Sequence, residues 1–195
     1  MYNPGELRSI YEEINLQTET FAQKAGLACK PGCGKCCEFP EISLTVTDCL
    51  VLAEALWESG KAEALHEKLL QEAASDNSEQ TVSPCPIYQP SPVEKHMGRC
   101  SMWPVRPGLC RLFGFASMQS GQGRGLAACK IIKAQLEGRS EAEVSKDAPD
   151  ITSWSRRIAA THPGLSAKPL PIRSALREAL GIVITQKSWS VLAGG

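Results

Sequence analysis

Apolar residues recur at helical spacing at the front of the chain, where Leu7, Ile10, Tyr11, Ile14, Phe21 and Ala25 fall on one face. Asn3-Pro4-Gly5-Glu6 supplies a start for that face, with Asn as the cap, Pro at the first helical position and Glu three residues after the cap. Gly26 supplies a stop. One long helix is predicted to deliver the chain to residue 29. Further on, Thr45-Val-Thr-Asp48 reads as a capping box, and two helices are predicted over 46–58 and 61–74, split by Ser59-Gly60. Leu65, Leu69 and Leu70 lie on one side of the latter, and 75–83 reads as a polar connection.

Periodicity lapses between residues 84 and 125. This stretch holds Pro84, Pro86, Pro90, Pro92, Pro104 and Pro107, and prolines remove backbone donors and stop helices and sheet ladders alike. Such a segment needs another source of order, and metal ligation is the obvious one. Gly114, Gly121, Gly123 and Gly125 imitate a phosphate loop, but no strand is predicted before them and no Lys-Ser or Lys-Thr follows, so a flexible turn is predicted. A helix over 126–137 would carry Cys129 in its first turn, where the dipole favours a thiolate. Two more helices are predicted over 151–160 and 171–180, the last ended by Gly181. The fold class that emerges is mainly α, with helices around an irregular, Pro/Gly-rich, metal-organised cysteine-cluster region. Residues 1–138 are expected to form a metal-binding domain. Residues 139–195, which hold no cysteine, are expected to form a helical appendage packed on it, for packing or partner binding.

Composition narrows the function classes. At 195 residues and 43% hydrophobic content the chain can bury an ordinary core, so metal need not do all the folding. Lys plus Arg equals Asp plus Glu at 21 each, which argues against a nucleic-acid partner or an electrostatic membrane surface. With neither an apolar leader nor a run long enough to span a bilayer, a cytoplasmic location is expected. Nine cysteines in such a chain point to metal rather than to a disulfide framework, because disulfide-dense domains are typically small and secreted and an odd count leaves one thiol over.

Four of the nine fall within Cys29-Lys-Pro-Gly-Cys33-Gly-Lys-Cys36-Cys37. Thiols add little as packing groups, whereas thiolates bind zinc and iron-sulfur clusters strongly. Cys33 and Cys36 form a C-x-x-C chelate, and Cys29 with Cys33 a second short one. Adjacent side chains generally diverge, so Cys36 and Cys37 are expected not to serve one tetrahedral ion together. Two ions or a polynuclear cluster are therefore inferred, and one split puts Cys33 and Cys36 in one site and Cys37 in another. Cys85, Cys100, Cys110 and Cys129 bring the candidate ligands to eight, enough for two four-cysteine sites. Cys49 follows the capping box and is expected in the core.

Eight thiolates need compensating charge. Lys30, Lys35, Arg99, Arg106, Arg111 and Lys130 all lie within four residues of a ligand candidate. Arg106 and Arg111 flank Cys110 among Val105, Leu109, Leu112 and Phe113, and are the candidates for a buried place beside the bound group. Trp103 and Phe113 bracket Cys110 and are expected to shield the site. His96 is expected on a surface loop, His66 on a solvent-facing helix surface and His162 in a turn. No Ser-His-Asp or Cys-His arrangement stands apart from these thiols.

The run Gly98-Arg-Cys100-Ser-Met-Trp-Pro-Val-Arg106-Pro107-Gly-Leu-Cys110-Arg111, with Cys33-x-x-Cys36-Cys37 upstream and Cys85-Pro86 between, resembles the YkgJ-type CxxCxxCC cysteine-cluster family over about residues 29 to 130. Trp103 stands where that family usually has Tyr. Cys29 precedes Cys33 by four residues where the family name implies three. The resemblance implies a zinc- or iron-chelating domain, and one similar branch includes flagellin lysine methylases, longer chains associated with an iron-sulfur cluster. No S-adenosylmethionine fingerprint stands in this sequence, so methyl transfer does not carry over. An iron-sulfur cluster or iron, alternatively zinc, is the expected cofactor. Three readings stay open: a binding module in redox or metal handling with a protein redox or substrate partner, a metal-dependent enzyme, for example an iron-sulfur-dependent modifying enzyme related to flagellin lysine methylase, and a structural zinc domain.

Overall fold

The computed structural model describes residues 2–39, 42–75, 84–94, 97–121 and 123–193. Helix α1 spans Pro4–Ala25; the Asn3 side chain accepts from the Gly5 N–H, and Gly26, at φ 64°, donates back to the Ala22 and Gln23 carbonyls. Its predicted apolar positions are all buried. Helix α2 is a single turn, Lys35–Glu38, and strand β1 (Ser43–Leu44) leads into α3 (Val46–Glu58), which opens with the predicted capping box of Thr45 and Asp48. Helix α4 (Ala62–Ala74) buries Leu69 but leaves Leu70 half exposed. Most of the predicted 75–83 connection, and His96, lie outside the described residues.

The proline-rich stretch is more regular than its sequence suggests. Strands β2 (Tyr88–Pro90) and β3 (Gly98–Cys100) pair antiparallel with Tyr88 opposite Cys100. A 3-10 turn over Trp103–Val105 and helix α5 (Gly108–Leu112) follow. The prolines sit at permitted points: Pro90 ends a strand, Pro104 lies in the first positions of the 3-10 turn and Pro107 caps α5. The predicted flexible turn is the hairpin of β4 (Ser117–Ser120) and β5 (Gly123–Leu126). Ladders this short leave no readable periodicity.

Two helix boundaries differ from expectation. Leu126 pairs with Ser117 in β5, so the helix predicted over 126–137 is the shorter α6 (Lys130–Ala134), with Cys129 at its N-cap rather than in its first turn. After α7 (Glu141–Val144) and α8 (Ile151–Thr161), strand β6 (Leu170–Pro171) pairs with β1, and α9 (Ile172–Ala193) runs straight through Gly181. A Cβ at Gly181 would stand 3.3 Å from His66 Nε2 of α4. The glycine serves helix-to-helix approach rather than termination, and His66 is half-buried rather than solvent-facing.

The main core gathers Leu7 and Ile14 of α1, Leu50 and Val51 of α3, Leu112 of α5, Ile158 of α8, and Leu176, Leu180 and Val183 of α9. Each such aliphatic side chain contributes about 1.5–3 kcal/mol on burial. The C-terminal helices therefore share the core of the N-terminal ones. A second cluster of Phe21, Ala25, Leu27, Leu126, Ile132, Leu136 and Ala148 fastens the end of α1 to α6 and the β4–β5 hairpin. Among the described residues no helix is long and apolar enough to cross a membrane.

Candidate metal centre

The loop after α1 is folded by its glycines. Gly32 and Gly34 have φ of 69° and 58°, and a Cβ at Gly34 would lie 2.6 Å from Tyr88 Cε2 and 2.8 Å from the Gly98 backbone. A Cβ at Gly98 would collide with the same ring. Two glycines thus let the cysteine loop lie flat against the β2–β3 hairpin. The Gly98 N–H donates to the Gly32 carbonyl at 2.9 Å, and the Cys85 N–H to the Cys37 carbonyl at 2.8 Å. Tyr88 donates through its hydroxyl to Glu38 Oε1 at 3.0 Å. Backbone pairing, as well as any metal, orders this region.

These contacts bring five thiols into the wall of one cavity of about 380 Å3: Cys36, Cys37, Cys85, Cys100 and Cys110. Phe39, Trp103, Leu109, Phe113 and Ile172 supply much of the remaining wall, and Arg106 its charge. All nine cysteines are free thiols. The adjacent Cys36 and Cys37 both line the cavity, and each thiol perturbs the pKa of the other.

Cys29, Cys33 and Cys129 stand outside that wall, with Cys29 exposed and Cys33 buried. Gln135 holds Ala28 from both sides, its amide donating to the Ala28 carbonyl and accepting from the Ala28 N–H, each at 2.8 Å, which anchors Cys29 near α6. Cys29 lies within electrostatic reach of Cys33, Cys36 and Cys129. Cys36 is likewise felt by Cys85, Cys100 and Cys110, so its charge reaches both groups. Cys49 is wholly buried in the core, as its place after the capping box predicts.

Burial, reinforced by neighbouring thiols, pushes Cys29 and Cys85 up to about 11 and raises Cys110 further. Burial also raises Cys100, against the pull of a backbone N–H and of Arg106. Cys36 moves the other way. A hydrogen bond from the Cys37 thiol outweighs its burial and, with backbone N–H groups and the Arg106 charge, brings it down to about 7. Cys37, as the donor of that bond, is pushed up.

The two arginines part company. Arg106 lies in the cavity wall, its guanidinium 3.7 Å over the Trp103 ring and one nitrogen donating to the Trp103 carbonyl at 3.2 Å. Its Nε is buried and has no hydrogen-bond partner among the described residues. Arg111 is buried away from the cavity wall, and its donors go to the carbonyls of Arg106 and Pro104 and to Asn15 Oδ1 of α1. Burial and the Arg106 charge hold its pKa down to about 10, so it stays charged at neutral pH. Arg111 therefore clamps the segment that presents Trp103 and Arg106. Among the other candidate cations, Lys35 pairs with Glu38 and Lys30, Arg99 and Lys130 are exposed. Phe39 and Ile172 are cavity residues that sequence reasoning missed. Only Phe39, an aromatic directly after Cys36-Cys37-Glu38 with no helical face to bury it, carried a readable signal.

The donor set suits a thiophilic metal. Soft thiolates select zinc and iron-sulfur clusters, and a buried arginine donor without a partner fits a site that becomes anionic. Among the described residues no three His, Cys, Asp or Glu side chains are already set as ligands of one ion. Convergence of five thiols on a shared cavity is what the fold supplies. A family model described as "Putative zinc- or iron-chelating domain" matches residues 28–137, more than half of the chain. The protein belongs to this CxxCxxCC family, and metal binding is the function consistent with it. No curated protein and no solved structure matches the chain.

Proposed function

We propose that the cysteine cluster holds iron in a polynuclear thiolate site, an iron-sulfur cluster being the form its ligands suit best, and that the protein acts in redox chemistry or metal handling. One observation carries the reading: five thiols from four separate segments, the adjacent pair Cys36 and Cys37 included, line one cavity. A single tetrahedral ion takes four thiolates, so a fifth in the same wall favours more than one metal. Cys29, in reach of Cys33, Cys36 and Cys129, brings the remaining three of the eight proposed ligands to the cluster. When bound, such a centre supplies electron transfer or Lewis acidity. The chain's own residues gather the thiols, and Arg106 offsets their charge. Arg111 holds Arg106 in place without touching the bound group, and Phe39, Trp103 and Phe113 limit water at the mouth.

A metal-dependent enzyme is the second reading, favoured by the apolar volume beyond the thiols. A purely structural zinc role is less well supported, since the β2–β3 hairpin and Arg111 already order the proline-rich segment. Iron, zinc and acid-labile sulfide per chain, with a visible spectrum, on protein purified without oxygen test the proposal. Several irons with matching sulfide and a bleachable brown band are expected, and Cys36→Ala is expected to lower the metal content sharply. Colourless protein with about two zincs and no sulfide would overturn the iron reading.

A further inference from the structure

The cavity wall carries apolar and aromatic groups that metal ligation does not require. Small-molecule sites occupy about 300–1,000 Å3, are mostly apolar and carry a few placed polar groups. A cavity of about 380 Å3 with Phe39, Trp103, Leu109, Phe113 and Ile172 in its wall matches that description. Phe39, Trp103 and Phe113 are 56%, 52% and 39% exposed, so these rings border solvent as well as the cavity. Among the described residues that line it, the charged one is Arg106.

Arg106 is set to receive an anion. A guanidinium has five N–H donors in a planar fork suited to carboxylates. One donor goes to the Trp103 carbonyl, and the stacked indole fixes the plane of the group. The Nε is buried and unpartnered among the described residues, a costly state for a polar atom unless something enters to accept from it. Arg106 lines the cavity, so an acceptor that enters it meets this side chain. Offsetting thiolate charge does not use up the fork, so both roles can be filled at once.

We propose that this cavity binds a small organic carboxylate with an apolar, ring-sized body. The carboxylate accepts from Arg106, and the body lies against Phe39, Trp103, Leu109 and Phe113. The inference goes beyond the metal reading, with which it shares one cavity. Calorimetric titration of the full chain with 3-phenylpropionate tests it, beside acetate, which lacks the body, and 3-phenylpropylamine, which reverses the charge. Saturable one-to-one binding is expected, with acetate and the amine at least tenfold weaker. Arg106→Gln is expected to lose at least tenfold in affinity while Arg99→Gln, at an exposed arginine, binds as wild type does. Wild-type protein that ignores 3-phenylpropionate, or that takes the amine equally well, overturns the proposal without any variant having to fold. Metal per chain is counted in the same samples. A metal-loaded chain that does not bind the carboxylate ends this inference alone, whereas a metal-free chain that binds it ends the metal reading alone.

Discussion

Arg106 and Arg111 are five positions apart and carry the same side chain, yet they do unlike things. Their places beside Cys110 were readable in the sequence. Their partners were not, because Asn15, which accepts from Arg111, lies 96 residues away along the chain. Arg111→Gln is expected to lower the stability to unfolding by about 2–4 kcal/mol, since it removes a charged donor and leaves the Pro104 and Arg106 carbonyls and the Asn15 amide short of one. Arg111→Lys should recover only part, because an ammonium lacks the planar fork. Urea unfolding of both variants checks this, and midpoints equal to wild type would refute the clamp. Cys49 shows the opposite case at the same scale. Its capping box and helical register suffice to place it in the core, because both signals are local.

Among the elements, long helices with caps were legible and short paired segments were not. Asn3, Gly26 and Thr45 each act within a few residues of themselves, so α1 and α3 could be bounded from the sequence. The β2–β3 ladder has three residues a side, too few for alternation to register. Gly181 misled for a related reason: a glycine that stops a helix and one that admits a neighbouring helix look alike until the neighbour is known. Gly181→Ala is expected to stabilise the protein by about 0.5 kcal/mol, the helix-propensity gain of up to about 1 kcal/mol being partly offset by displacement of the half-buried His66 ring. A melting-temperature comparison checks it, and a lower value would mean that His66 cannot give way. Gly34 is the contrary case, with positive φ and no room between Tyr88 and the Gly98 backbone. Gly34→Ala should cost more than about 1–2 kcal/mol, the conformational penalty alone, and should lower metal content by lifting the cysteine loop from its hairpin. Unchanged metal per chain would show that this seating is dispensable.

Across the whole molecule, Glu54 of α3 ties the two terminal helices together, accepting from Arg8 of α1 at 2.7 Å and from Lys187 of α9 at 3.0 Å. Burial alone would raise its pKa, but these two bonds outweigh burial and hold the carboxylate below its usual range. A folded-state value below the unfolded one means stability that is present above the usual glutamate range, near about pH 4, and lost as the pH falls through the lowered value. Glu54→Gln should therefore flatten the dependence of the urea midpoint between about pH 6 and about pH 3. An equally steep profile in the variant would assign acid sensitivity elsewhere. By itself the sequence determined the mainly helical class, the bounds of α1 and α3, the family and the chemistry of the donors, because caps, periodicity and thiol spacing are local properties of the chain. The tertiary structure alone decided that five thiols meet in one cavity with Arg106, that Cys36 and Cys37 face it together, and that the first residue of α9 helps to line it. Those outcomes depend on where segments far apart in the chain are laid against one another, and that placement is set by the packed core and by the close approach of Gly34 and Gly98 to Tyr88.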